Sequence, residues 1–245
     1  TSAEDRIFFR DIARVIDGQH RIAGLEGFSG ETFDLPVIIL VGMDLADQGH
    51  VFATVNLAQT KVSPSLAYDL YDLAKSRSPQ KTCHNIVVAL DQHEKSPFYK
   101  RVKRLGVRTQ DRLNETLTQA TFVRALIQYI SDDPMLDRDQ LKRGLKLPLA
   151  SKEQLDRLIF RNMFIQEKDL GVMDVVWNFF GAVRDRWPDS WSNFGRGNVL
   201  VRTSGFRSFM RFLRPAYLHL VEPGKIPSIE DFSVLMRKVT LAETD

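Results

Sequence analysis

The chain is short of several residue types and patterns. One cysteine, Cys83, in 245 residues excludes an internal disulfide framework and any zinc or iron–sulfur centre held by several thiolates. A reducing, cytoplasmic setting is the expectation that follows. No apolar run approaches the roughly 20 residues that span a bilayer, so no membrane partner is expected. The opening Thr1-Ser2-Ala3-Glu4-Asp5-Arg6 lacks the charged-then-apolar build of a signal peptide. Charge of one sign is also scarce: 34 Lys and Arg against 31 Asp and Glu leave +3. Affinity for nucleic acid must therefore come from local patches. No repeat or low-complexity tract occurs. Among the histidines, His50, His84, His93 and His219 show no metal-ligand spacing.

What is present is ordinary globular material, 43% hydrophobic and 27% charged, long enough for one large or two small domains with a real core. Two stretches read as strands: residues 13–16, and Leu35-Pro36-Val37-Ile38-Ile39-Leu40-Val41, apolar throughout as a strand buried on both faces would be. Two strands make a poor sheet, so either strands upstream of them are missing or late segments pair with them. After Val41 the pattern turns helical, over 46–59, from Pro64 onward, over 82–92 and over 117–130. Asp132-Asp133-Pro134 breaks that series, and Ser151, with Glu153 behind it, caps the next helix. A boundary between 132 and 151 then separates a motif-bearing domain, 1–131, from a helical one, 132–245. Within the latter, Val172, Val176, Trp177, Phe180 and Val183 form one apolar stripe, and Thr203 or Ser204 caps a helix running to Leu220. The fold class expected is α+β, a small mixed sheet with a mostly helical C-terminal part.

The densest chemistry lies in Asp17-Gly18-Gln19-His20-Arg21, between Val15-Ile16 and Ile22-Ala23-Gly24-Leu25. The pattern predicts a strand-to-helix corner, where unpaired helix-start N–H groups and the helix dipole attract an anion such as a phosphate. Gly18 permits close approach, Arg21 offers a bidentate fork, and His20 adds a donor. Asp17 repels a phosphate unless a metal such as Mg²⁺ intervenes or the acid takes a proton from a nucleophile, which makes it the chemical residue. The plainer alternative is an Asp-Gly turn with Arg21 paired to a surface acid. Asn56 and Gln59, three apart on a predicted helix, share a face and either bond a ligand or brace the corner. Lys61 follows them, within reach of a phosphate or simply solvated.

Two basic clusters stand out. Lys100, Arg101, Lys103, Arg104 and Arg108 crowd one stretch with no acid among them. Arg207, Arg211 and Arg214 fall at i, i+4 and i+7, opposite Phe206, Phe209, Met210 and Leu213. Either cluster tracks a phosphodiester backbone or is a solvated face balanced by acids elsewhere. Cys83 and the three tryptophans, Trp177, Trp187 and Trp191, read as packing residues.

The Asp17–Arg21 string resembles the signature of the DGQHR-domain proteins, and Phe52-Ala53-Thr54-Val55-Asn56-Leu57-Ala58-Gln59-Thr60-Lys61-Val62 resembles that family's second block. Asn178-Phe179-Phe180-Gly181-Ala182-Val183, Trp187-Pro188-Asp189-Ser190-Trp191 and Thr203-Ser204-Gly205-Phe206 are similar to its helical half. The likeness thus covers most of the chain. It implies a ParB/sulfiredoxin-like fold and a place beside bacterial DNA-modification and phage-defence systems. On that resemblance, ATP or another nucleotide is bound and hydrolysed in support of DNA modification of the DpdB type, the insertion of 7-deazaguanine. Asp17 and His20 would be catalytic, and Gly18, Gln19, His20, Arg21, Asn56 and Gln59 would hold the nucleotide, with Mg²⁺ at Asp17. DNA and a modification enzyme are the implied partners, and self-association into a homo-oligomer stays open. The alternatives are a DndB-type DNA-binding regulator of a phosphorothioation operon, or a metal-dependent DNA nuclease. Gln19 stands where sulfiredoxin-type relatives need a cysteine, which excludes thiol chemistry.

Overall fold

A computed structural model describes residues 13–240 apart from 31, 57–62 and 113. The chain divides into two compact units, Thr1–Val62 and Ser63–Asp245.

In the first unit, helix α1 (Gln19–Ala23) starts at Gly18, whose φ of +98° is left-handed and cheap only for glycine. Helix α2 (Leu45–Asn56) begins where the Asp44 carboxylate accepts the Asp47 N–H at 2.9 Å. The two expected strands do not form. Residues 13–16 and 35–41 carry no ladder, and Ile38 and Val41 are 89% and 90% exposed. An apolar, β-branched run suits a strand, but a strand is stable only beside a partner. Among the described residues none pairs with it.

The second unit is mostly helical, with the sequence itself setting the starts. Ser63 and Ser78 accept the Ser65 and Lys81 N–H groups, each just ahead of a proline, and so open α3 (Pro64–Asp69) and α4 (Pro79–Gln92). A 3-10 turn, Leu70–Leu73, lies between them. Strands β1 (Val102–Lys103) and β2 (Leu117–Thr118) follow, paired in parallel with Val102 opposite Leu117. Then come α5 (Gln119–Ile127), α6 (Pro134–Lys142), α7 (Lys152–Leu155), α8 (Arg161–Ile165) and α9 (Asp169–Arg186). The series closes with α10 (Pro188–Ser192), α11 (Thr203–Leu220) and α12 (Ile229–Arg237). The architecture is thus α+β in the coarse sense, helices with one small sheet, and that sheet lies downstream of where strands were expected. Asp133 caps α6, and Ser151 caps α7 in a full capping box with Gln154. Arg202, not Thr203 or Ser204, occupies the N-cap of α11, without a side-chain bond.

Helix α9 runs through the core: Val172, Val175, Val176, Phe179, Phe180 and Val183 are at most 1% exposed. Phe98, from before β1, meets the rings of Phe122, Phe180 and Phe206 at 4.8, 4.8 and 6.0 Å. One core therefore draws on both sides of the expected 132–151 boundary, which falls inside this unit. Trp187, Trp191 and Cys83 belong to that core, and Trp177 packs against it.

Polar groups inside the unit are paired over long sequence distances. Asp91, 1% exposed, accepts the Val102 N–H at 3.0 Å and Arg112 at 2.7 Å. Glu115 accepts the Thr109 N–H at 2.6 Å, so two buried carboxylates and one guanidinium pin the loop between β1 and β2. Arg77 grips Asp169 bidentately at 2.6 and 2.7 Å, and Arg161 pairs with Asp137.

Candidate functional site

The Asp17–Arg21 corner is built on the left-handed turn at Gly18. That turn aims the chain into α1, whose five residues include none that is buried. Ile22 N–H bonds back to the Gly18 carbonyl at 3.0 Å, and Gly18 has no side chain with which to cap the N–H groups of Gln19, His20 and Arg21. The Gln19 amide donates to the Val15 carbonyl at 3.2 Å and holds the approach to the turn. One turn apart, the Arg21 guanidinium lies 3.6 Å from the Asp17 carboxylate, with side chains 64% and 30% exposed. The plainer alternative, Arg21 paired to an acid, is thus realised with Asp17 itself as the acid. A phosphate arriving here competes with Asp17 for that guanidinium.

Asn56 is the last residue of α2; its side chain, Gln59 and Lys61 lie outside the described residues. Among the described residues no three His, Cys, Asp or Glu side chains gather as a metal cluster. One carboxylate, Asp17, fits Mg²⁺ only in the manner in which the ion travels with a nucleotide, held by phosphates and water and one protein oxygen.

The first basic cluster divides. Arg101 turns inward between two rings, its guanidinium 4.8 Å from the Trp191 centroid and 4.9 Å from Phe194, donating to the Trp191 carbonyl at 3.0 Å. Burial, with Arg184 adding repulsion, lowers its pKa to about 10. Arg104 donates to Gln119 at 2.7 Å and to Asp69 at 2.8 Å. Lys100 and Arg108 are exposed and Lys103 is half-buried. So Arg101 and Arg104 serve the interior of the unit, and the outward charge of this stretch rests on the other three.

The second cluster keeps its charge outside. Helix α11 buries Phe206, Met210, Leu213, Ala216 and Tyr217, while Arg207, Arg211 and Arg214 are exposed. No Asp or Glu occurs in its 18 residues, and none of the three arginines makes an ion pair with a described residue. The 3.6-residue periodicity announced this face in full. The inward turn of Arg101 had no such local signal, because its partner Trp191 lies 90 residues downstream.

Comparison of the chain with protein-family models, curated proteins and solved structures finds no match.

Proposed function

We propose that this chain is a DGQHR-type DNA-binding protein serving bacterial DNA modification, and that α11 supplies its grip on the phosphodiester backbone. The observation that carries this reading is the set of three exposed arginines, Arg207, Arg211 and Arg214, with no ion-pair partner among the described residues, on a helix with no acid. Seven residues of helix advance about 10 Å, and one DNA strand presents a phosphate every 3.4 Å or so of axis. Because the strand also winds about the axis, neighbouring phosphates lie further apart than this rise, and the stripe spans about two to three of them. Lys100, Lys103 and Arg108 add exposed or half-exposed positive charge to the same unit. Such contacts position a duplex without reading its bases. The reading carries with it a cytoplasmic location and a partner modification enzyme.

Replacing Arg207, Arg211 and Arg214 together by Gln is expected to weaken duplex binding evenly across sequences. The slope of log affinity against log salt should fall by roughly 2 to 3, at about 0.9 per lost phosphate contact. Fluorescence anisotropy with a labelled duplex at several salt concentrations measures both. An unchanged slope removes α11 from the interface.

Nucleotide hydrolysis is the second reading, favoured by the left-handed Gly18 and the uncapped N–H groups beside Arg21. In it those amides, His20 and Arg21 hold the phosphates, Gln19, Asn56 and Gln59 support them, and Asp17 orients water or a phosphate-borne Mg²⁺. The ion would neutralise charge developing on the phosphates. Steady-state ATPase activity of the chain, with and without DNA, is expected to disappear in Asp17→Asn. Absent or unaltered turnover leaves the DNA clamp alone. Metal-dependent plasmid nicking abolished by the same substitution makes the chain a nuclease instead.

A further inference from the structure

The loop between β1 and β2 is braced from beneath and apolar on top. Asp91 and Glu115, both buried, share Arg112 at 2.7 and 3.4 Å, and Glu115 also holds the Thr109 N–H. At the start of the loop the Gly106 N–H closes a turn onto the Lys103 carbonyl at 3.3 Å. Gly106 has a φ of +81°, and a side chain there would run into the Ser63 hydroxyl, so this turn is pressed onto the cap of α3. A second turn closes where the Arg112 N–H donates to the Thr109 carbonyl at 3.2 Å. Between these fixed points Leu105 and Val107 are 49% and 65% exposed. A single exposed aliphatic side chain is ordinary on a surface. Two within three residues, on a loop braced in this way, are a presented shape.

The charge around that pair is mainly of one sign. Asp91 and Glu115 are engaged inside by Arg112, and Asp69 by Arg104. Lys100 and Arg108 are exposed and Lys103 is half-buried, none with an ion-pair partner among the described residues; the one exposed acid of the loop is Asp111. An apolar tip among cations suits a polyanion with an apolar interior, which is what a duplex is. An aliphatic side chain has no hydrogen bond to offer a base edge. It acts instead by entering a base step from the minor groove, about 6 Å wide and too narrow for a helix, and parting the stack. We propose, resting on the DNA-binding reading above, that the β1–β2 loop is a wedge: Leu105 and Val107 enter the minor groove, Lys100, Lys103 and Arg108 hold the flanking phosphates, and the duplex is bent. The bracing lowers the cost of ordering the loop on binding. The loop returns to β2 at Thr116 and Leu117, which line one cleft with Leu200, Val201 and Phe206 at the start of α11, so the wedge and the arginine stripe are neighbours in one unit. Bending adds what the stripe lacks, a preference for flexible steps such as TA with no base being read.

Two duplexes of equal length and base composition, one with central TA steps and one with a central A-tract, carry a donor and an acceptor dye at their ends. Energy transfer and affinity are measured with the full chain over a range of salt. The parent chain is expected to shorten the end-to-end distance of the TA duplex, in keeping with a kink of about 20–90°, and to bind it about tenfold more tightly than the A-tract duplex. Leu105→Ser combined with Val107→Ser should abolish the shortening and the preference while keeping the salt slope. Because both side chains are exposed, its thermal midpoint should stay within a few degrees of the parent. Changing Arg207, Arg211 and Arg214 to Gln should instead lower the salt slope and keep the preference for TA. A parent chain that binds neither duplex ends the DNA-binding reading and this inference with it. Binding without shortening, or a double variant that still bends the TA duplex, overturns the wedge alone and turns the loop towards a protein partner. A fall of many degrees in the midpoint of the double variant shows that the two side chains are covered in the free chain, and overturns the wedge as well.

Discussion

His84 sits on α4 with 1% of its surface exposed and its Nδ1 without a partner. Burial lowers its pKa from the ordinary 6.5; Arg104 and Lys81 push the same way, against Asp69 and Asp72. The unfolded chain takes up the proton at the ordinary value while the folded chain resists it, so the unfolded state binds more protons between the two. Stability is full above 6.5 and is lost as pH falls through the lowered value. The thermal midpoint is expected to decline as pH drops from 7 to 5, and His84→Gln should flatten that decline. Identical profiles would assign the acid sensitivity to other groups. Asp169 is the contrasting case. Its pKa is raised, by burial first, even with the Arg77 guanidinium beside it, so the pair relieves a desolvation cost rather than adding a surplus.

At the scale of elements, serine and aspartate caps ahead of prolines account for the starts of α3, α4 and α6. Ser78 is 1% exposed and accepts the Lys81 N–H at 3.1 Å. Ser78→Ala is expected to destabilise the chain by about 1 kcal/mol, read from urea denaturation with an unchanged m-value; a neutral result would mean another group captures that N–H. Caps and helical stripes are local, and so α9 and α11 were legible from residue spacing alone. Sheet pairing is not local. Residues 35–41 have the composition of a strand and no described partner, while β1 and β2 are two residues each, too short for any alternation to show. They owe their pairing to Asp91 on α4 and to the Arg101 carbonyl, which accepts the Leu117 N–H at 3.3 Å. The candidate site divides the same way. The Asp17–Arg21 string and the arginine stripe were readable as patterns. That Asp17 occupies Arg21, and that Arg101 and Arg104 serve the interior, depends on contacts that spacing does not encode.

For the whole molecule, the division at Val62 and Ser63 places the connected hydrophobic core in the second unit, from Cys83 to Met236. A fragment spanning 63–245 is expected to unfold in one cooperative step, with a thermal midpoint within a few degrees of the full chain. Calorimetry of both decides the matter, and a broad transition would show that residues before 63 complete the core. The face of α9 that carries Phe179 is covered by α12, where Phe232 lies 5.3 Å from that ring and Met236 is fully buried. These residues come from the last stretch of the described chain. During synthesis, at about 5–20 residues per second, α9 therefore waits several seconds for its cover. An apolar helix left open that long is a natural client for a chaperone, and a stop codon shortly before α12 would leave the chain in that state permanently.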